Sequence, residues 1–191
     1  GFGSWQRLAN PVLRDPVPGY EVASDPHVFR DSDGGLWMVY TGDHDGHASI
    51  KLARGTAHDQ WTPVATLIAG GDPPAAGPDS GKETAFYRYD HGRARHQIYY
   101  IAYWDEDPAR EYRAELYLAE SDELAGPYTS SPVPVLPAGV VAGRSVHLYT
   151  SPSVVEYGGV LHLTIIGWNA PPDRVSEVWI LGAISNDGGL T

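Results

Sequence analysis

Apolar and polar positions along this chain fall into short runs that return three times in the same order. Residues 24–30 alternate, Gly34-Gly35 interrupts them, and 36–41 form an aromatic-rich run; 49–54 alternate again and 61–68 close the group. The order recurs at 82–88, a turn at Asp90-His91-Gly92, then 97–104, 114–121 and 133–136. It recurs once more at 150–156, a turn at Gly158-Gly159, then 160–168 and 177–184. Period-2 runs of β-branched and aromatic residues joined at Gly-containing turns predict antiparallel hairpins, and no segment sustains a helical period.

Internal repetition of such units predicts an all-β fold: a β-propeller of four-stranded antiparallel blades, about three of them in this chain. The blades are expected over residues 20–70, 78–138 and 147–191, as a single domain. Their spacing of roughly 60 residues exceeds the ~40–50 of common blades, and the surplus falls in Gly-, Pro- and Ala-rich connections at 69–80 and 137–145. Residues 5–13 read as an outer, fourth-type strand, whereas the third copy reaches residue 191 ahead of its own fourth strand. Propellers have about four to eight blades. The ring is therefore expected to be completed by further C-terminal blades or by a partner, such as a second copy in a homodimer.

Composition narrows the function classes. Tyr (12) and Trp (6) outnumber Phe (3), and Gly (22) and Pro (16) are plentiful. Amphipathic rings on a turn-rich scaffold suit a polar ligand. A formal charge of −11 argues against nucleic acid as a partner. No apolar run approaches the roughly 18 residues of a spanning helix, which argues against a membrane partner. Cysteine is absent, which removes disulfides and thiolate metal sites.

In a propeller blade the first strand lines the channel and the second runs antiparallel to it, so strand-one starts and strand-two ends share one rim. The strand-one starts offer Asp25, Glu83 and Ser151; the strand-two ends offer Tyr40, Trp104, Asp105 and Trp168. Paired carboxylates flanking a sugar bond are what glycoside hydrolysis requires, and flat rings suit the apolar face of a sugar. The plainer alternative is that Asp before Pro only initiates a turn and that Glu83 is only solvated. His44 and His47 beside Asp43 and Asp45 read as a polar hairpin loop, so no metal site is assigned to them.

Ser24-Asp25-Pro26-His27-Val28-Phe29, followed by Gly34-Gly35-Leu36-Trp37-Met38-Val39-Tyr40-Thr41-Gly42, resembles the opening blade of family 43 glycoside hydrolases of the arabinanase/β-xylosidase type. Ser121-Asp122-Glu123-Leu124-Ala125-Gly126-Pro127-Tyr128 is similar to a blade ending of that group, and 151–159 to its third blade. The resemblance implies a five-bladed ring and a secreted, extracellular enzyme. Its implied activity is hydrolysis of arabinofuranosyl, xylosyl or galactosyl linkages of an oligo- or polysaccharide, with inversion. Asp25 would be the base, Glu83 the acid or its modulator, and Tyr40, Trp104, Asp105, Ser151 and Trp168 substrate contacts. It implies no cofactor, although a structural calcium ion is compatible with it. The third-blade acid of the family, a Glu before Gly-Pro, falls here on Thr150-Ser151-Pro152. That departure keeps open a non-catalytic carbohydrate-binding propeller, or a propeller half completed by a partner. Residues 185–191 also fit the Ser-x-Asp-x-Gly-x-Thr hairpin of sialidase propellers, a structural turn.

Overall fold

The computed structural model describes Leu13 and residues 23–57, 60–72, 80–104, 113–170 and 175–187. Among them every regular element is a strand. Blade one is β1 (Ala23–Arg30), β2 (Leu36–His44), β3 (His47–Ala57) and β4 (Gln60–Ile68), antiparallel in that order. Blade two is β5 (Gly81–Asp90), β6 (Arg95–Trp104), β7 (Arg113–Ser121) and the two-residue β8 (Thr129–Ser130). A separate hairpin, β9 (Gly139–Val141) and β10 (Arg144–Val146), precedes blade three, which has β11 (Leu148–Tyr157), β12 (Val160–Trp168) and β13 (Val178–Ser185). Leu148 and Ala114 form a single parallel pair that joins blades two and three. The all-β, blade-by-blade architecture is the expected one.

Side-chain chemistry closes the first turn of each of the first two blades. Asp31 Oδ1 accepts from the Gly35 and Asp33 amides at 2.6 and 3.1 Å, and its Oδ2 accepts from Trp37 Nε1 at 2.7 Å. Gly34 sits there at φ +81°, a conformation open to glycine because it lacks Cβ. Asp90 Oδ1 repeats the device on the amides of Gly92 and Arg93. Such self-satisfying carboxylates make a tight turn between two apolar runs.

Blade two is sandwiched, and its sequence says so. Ile98, Tyr100 and Ala102 of β6 join Val39, Ile50 and Leu52 in a core between blades one and two. The alternate residues Tyr99 and Ile101 join Leu116, Leu118, Leu161 and Ile165 between blades two and three. Because both faces of β6 are covered, its apolar run is unbroken and does not alternate.

Several details differ from the sequence reading. The outer strand expected at 133–136 is reduced to β8 plus an isolated bridge between Leu116 and Leu136, since prolines at 132, 134 and 137 withhold ladder donors. The connection at 137–145 contains the β9–β10 hairpin. The outer strand expected at 5–13 lies outside the described residues except for Leu13, which packs with Trp61 against Met38, Tyr40 and Ala53. Residues 188–191 of the sialidase-like hairpin also lie outside them. Its start is described: Ser185 Oγ donates to Asp187 Oδ1, and the Asp187 amide donates back to Ser185 Oγ.

Candidate functional site

The three inner strands share one irregularity. The ladders to their second strands slip between Ser24 and His27, between Glu83 and Phe86, and between Thr150 and Ser153. Inside each slip one non-glycine residue has positive φ: Asp25 at 50°, Thr84 at 48° and Ser151 at 53°. Asp tolerates this left-handed conformation better than most residues, whereas a β-branched Thr there is strained by about 1–3 kcal/mol. Bulges turn side chains out of the ladder. These three residues, with Pro26, Ala85 and Pro152, line one cavity of about 230 Å³ at the strand-one starts.

This register corrects the repeat alignment by one residue. Thr84, not Glu83, is the counterpart of Asp25 and Ser151, and Glu83 stands one position ahead, opposite Ile101, as Ser24 stands opposite Thr41. In the first and third copies a proline follows the bulged residue; in the second Ala85 takes that place, so nothing in the sequence marks the slip.

Asp25 is exposed, with Ser24 Oγ donating to its Oδ2 at 2.9 Å. Glu83 is half-buried, and its pKa is pushed up to about 7, first by burial and then by the nearby Asp25 charge. The two carboxyl groups thus differ in surroundings: Asp25 is open to solvent, and the half-buried Glu83 holds its proton toward neutrality. A buried carboxyl with a raised pKa beside a solvent-exposed one is an arrangement suited to an acid and a base. Thr84 Oγ1 is buried beside them and has no hydrogen-bond partner.

An inner strand is a sheet edge and leaves amides unpaired. Blade one supplies acceptors for two of them on β5: Thr41 Oγ1 accepts from the Thr84 amide at 3.1 Å, and His27 Nδ1 accepts from the Tyr87 amide at 2.9 Å. Neutral His27 must then carry its proton on Nε2; burial lowers its pKa. The ring stacks on Phe86 with centroids 4.2 Å apart. Lys82, fully buried, donates Nζ to the Asp72 carbonyl at 2.8 Å, and burial pulls its pKa down to about 8. It anchors the chain leading into β5. Gly81 leaves room for the Tyr103 ring, which a Cβ there would meet at 2.3 Å. Sequence reasoning gave His27, Thr84 and Lys82 no role. The signal for His27 was present in its place directly after Asp25-Pro26.

The remaining expected contacts divide. Ser151 is exposed and lines the cavity with Asp25. Tyr40 does not reach it: at 1% exposure its ring belongs to the blade-one core with Met38 and Ala53. Trp168 is half-buried against the core between blades two and three, with its Nε1 buried and lacking a partner; its ring is not the open platform expected. Trp104 ends β6, and Asp105 lies outside the described residues. His47 Nδ1 contacts the Ser80 carbonyl at 3.0 Å. Among the described residues no group of three or more His, Cys, Asp or Glu side chains is placed to hold a metal ion.

Solved structures of similar fold include glycoside hydrolases. Zg3597, a family 117 glycoside hydrolase produced by the marine bacterium Zobellia galactanivorans, aligns at TM-score 0.68 and 17% identity over 87% of this chain and 53% of its own. A thermostable family-43 glycoside hydrolase aligns at TM-score 0.68 and 18% identity over 93% of this chain and 58% of its own. The family 32 β-fructofuranosidase BmSUC1 of Bombyx mori aligns at TM-score 0.65 and 15% identity, over 93% and 36%. The likeness establishes a propeller-type fold, and this chain spans about half the length of the first two. No family model matches the sequence, and no curated protein does.

Proposed function

We propose that the chain carries the catalytic rim of an inverting glycoside hydrolase. It would act on arabinofuranosyl, xylosyl or galactosyl linkages of an extracellular oligo- or polysaccharide, and the ring would be completed by further blades or by a second copy. The observation that carries this reading is the unlike carboxyl pair: exposed Asp25 on its bulge beside half-buried Glu83, whose pKa is pushed up to about 7. Asp25 activates water; Glu83 protonates the leaving oxygen. Inversion needs the two groups roughly 6.5–9.5 Å apart with the sugar bound. The exposed Ser151 side chain lines the same cavity and offers its hydroxyl to sugar hydroxyls.

The test is turnover of aryl arabinofuranosides, xylosides and galactosides by the wild type and Asp25→Asn. Removing the base should cost about 10²–10⁴-fold with an unchanged melting temperature, because Asp25 is exposed and makes no core contact. Unchanged turnover in the variant would reject the assignment. A second reading, a carbohydrate-binding propeller without chemistry, rests on Thr150 and Ser151, where the third blade brings hydroxyls in place of a carboxylate. A wild type that binds oligosaccharides and cleaves none would establish it.

A further inference from the structure

The far ends of β1 and β5 enclose a second cavity of about 570 Å³, within the ~300–1,000 Å³ range of small-molecule sites. His27 lines both cavities, and Arg30 lies about 17 Å along the strand from Asp25, at 3.3 Å per residue. Its wall is aromatic and charged: Arg30, Arg88, His91 and His96 beside Tyr87, Tyr89 and the Asp31 carboxylate. In a chain of net charge −11 such a cluster stands apart.

Two carboxylates sit at this wall: Asp31 stays charged and is held to its own turn, and Glu156 is paired with Arg88. Asp31 accepts from two amides and the Trp37 indole, which hold its pKa below the usual carboxylate range. Glu156 is taken up by Arg88 at 2.8 Å, and Arg88 also donates to Gln97 Oε1 at 2.7 Å. Arg30 spends one donor on the Gly34 carbonyl at 2.8 Å, and a guanidinium has five. The aromatic wall is preorganised. Phe29 and Tyr87 stack with centroids 3.8 Å apart, His96 Nδ1 shares a 2.9 Å hydrogen bond with Tyr87 OH, and Tyr89 meets His91 and His96 edge-on.

We infer that this cavity is a second glycan site, selective for an acidic sugar unit whose carboxylate or sulfate pairs with Arg30 and whose ring lies on the tyrosine–histidine wall. A planar fork of donors recognises either oxyanion in bidentate fashion, and the rings supply the apolar side of the contact. Occupied together with the rim, it would bias the protein toward acidic polysaccharide.

Calorimetric titration of the whole chain with trigalacturonic acid, galactose 6-sulfate, neutral galactotriose and inorganic sulfate tests this. Saturable binding of the first or second, but not of galactotriose, is expected. Arg30→Ala should weaken it at least about tenfold and leave aryl glycoside turnover at the wild-type level. Should Arg30→Ala fold poorly, His91→Ala serves the same purpose from the opposite wall. Trigalacturonate binding alone marks a uronate site, and galactose 6-sulfate alone a sulfated-sugar site; either supports the inference. Equal binding of galactotriose would overturn it, as would equal binding of inorganic sulfate, absence of saturation, or loss of binding in Asp25→Asn, which would move the ligand to the rim. Turnover is read separately, so a binding-only protein would refute the proposed hydrolase and leave this site standing.

Discussion

Blades two and three are built from similar strands in different surroundings. In β6 the residues of both faces are buried, Ile98 and Tyr100 toward blade one, Tyr99 and Ile101 toward blade three. In β13 Trp179 and Leu181 pack inward, yet Val178, Ile180 and Ile184 on the other face are 51, 83 and 67% exposed. The contrast extends to the bulges. At blade two, burial and then the nearby Asp25 charge push the Glu83 pKa to about 7; at blade three, Ser151 is open to solvent. A repeated backbone decides where side chains emerge. The neighbouring blades decide how they titrate.

The largest expected effect on this contrast comes from the covered strand. Ile101→Ala removes a fully buried side chain from the core between blades two and three and should cost about 2–5 kcal/mol. Ile184→Ala, on the open face of β13, should stay within about 0.5 kcal/mol. Urea denaturation of both variants reads the difference. Equal losses would mean that the β13 face is covered in solution and that the contrast between the blades does not hold.

Glu83→Gln sharpens the comparison at the site. The folded protein holds the Glu83 proton up to pH about 7, whereas an unfolded chain releases it near the ordinary value of 4.5. Folding stability from this group is therefore full below pH 4.5 and falls as pH rises toward 7, by about 3 kcal/mol in all. The Gln variant lacks this loss. Thermal melts at pH 5 and pH 8 should show the wild type destabilised more than Glu83→Gln by the higher pH. Wild-type turnover should likewise decline through pH about 7 as the acid ionises. A wild type and variant with the same pH dependence of stability would show that Glu83 titrates as an ordinary surface carboxyl.

How far the sequence could be read follows from the same physics. Strand order and turns were legible, because Gly34, Asp90 and Gly158 punctuate runs of period 2. The bulge of blade two was not. A one-residue slip normally betrays itself by moving apolar residues to the polar face, but both faces of β5 and β6 are largely covered, so the pattern reads alike in either register. Proline marks the slip in the other two blades and is missing here. Tyr40 was misplaced for a related reason: a strand that carries apolar residues on both faces does not reveal which end of it reaches the rim. The unlike character of Asp25 and Glu83 lies beyond any sequence pattern, since it depends on how much water the packed blades leave at each.

The smallest expected change in stability tests the open face itself. Among the described residues β13 ends its sheet, and it presents Val178, Ile180 and Ile184 on its uncovered side. Blade one's outer flank differs, for Met38 and Ala53 are buried there under Leu13 and Trp61. An unpaired edge with apolar side chains is a pairing surface, and closed two-fold dimers are the commonest way to cover one. Ile180→Lys places a charge at the centre of that face without touching the core, so the fold should change by no more than about 0.5 kcal/mol. Light scattering over a micromolar concentration series should show the wild type assembling through this face and Ile180→Lys remaining smaller. If both run as the same monodisperse monomer, the chain does not use β13 to complete its ring, and three blades suffice for a stable fold.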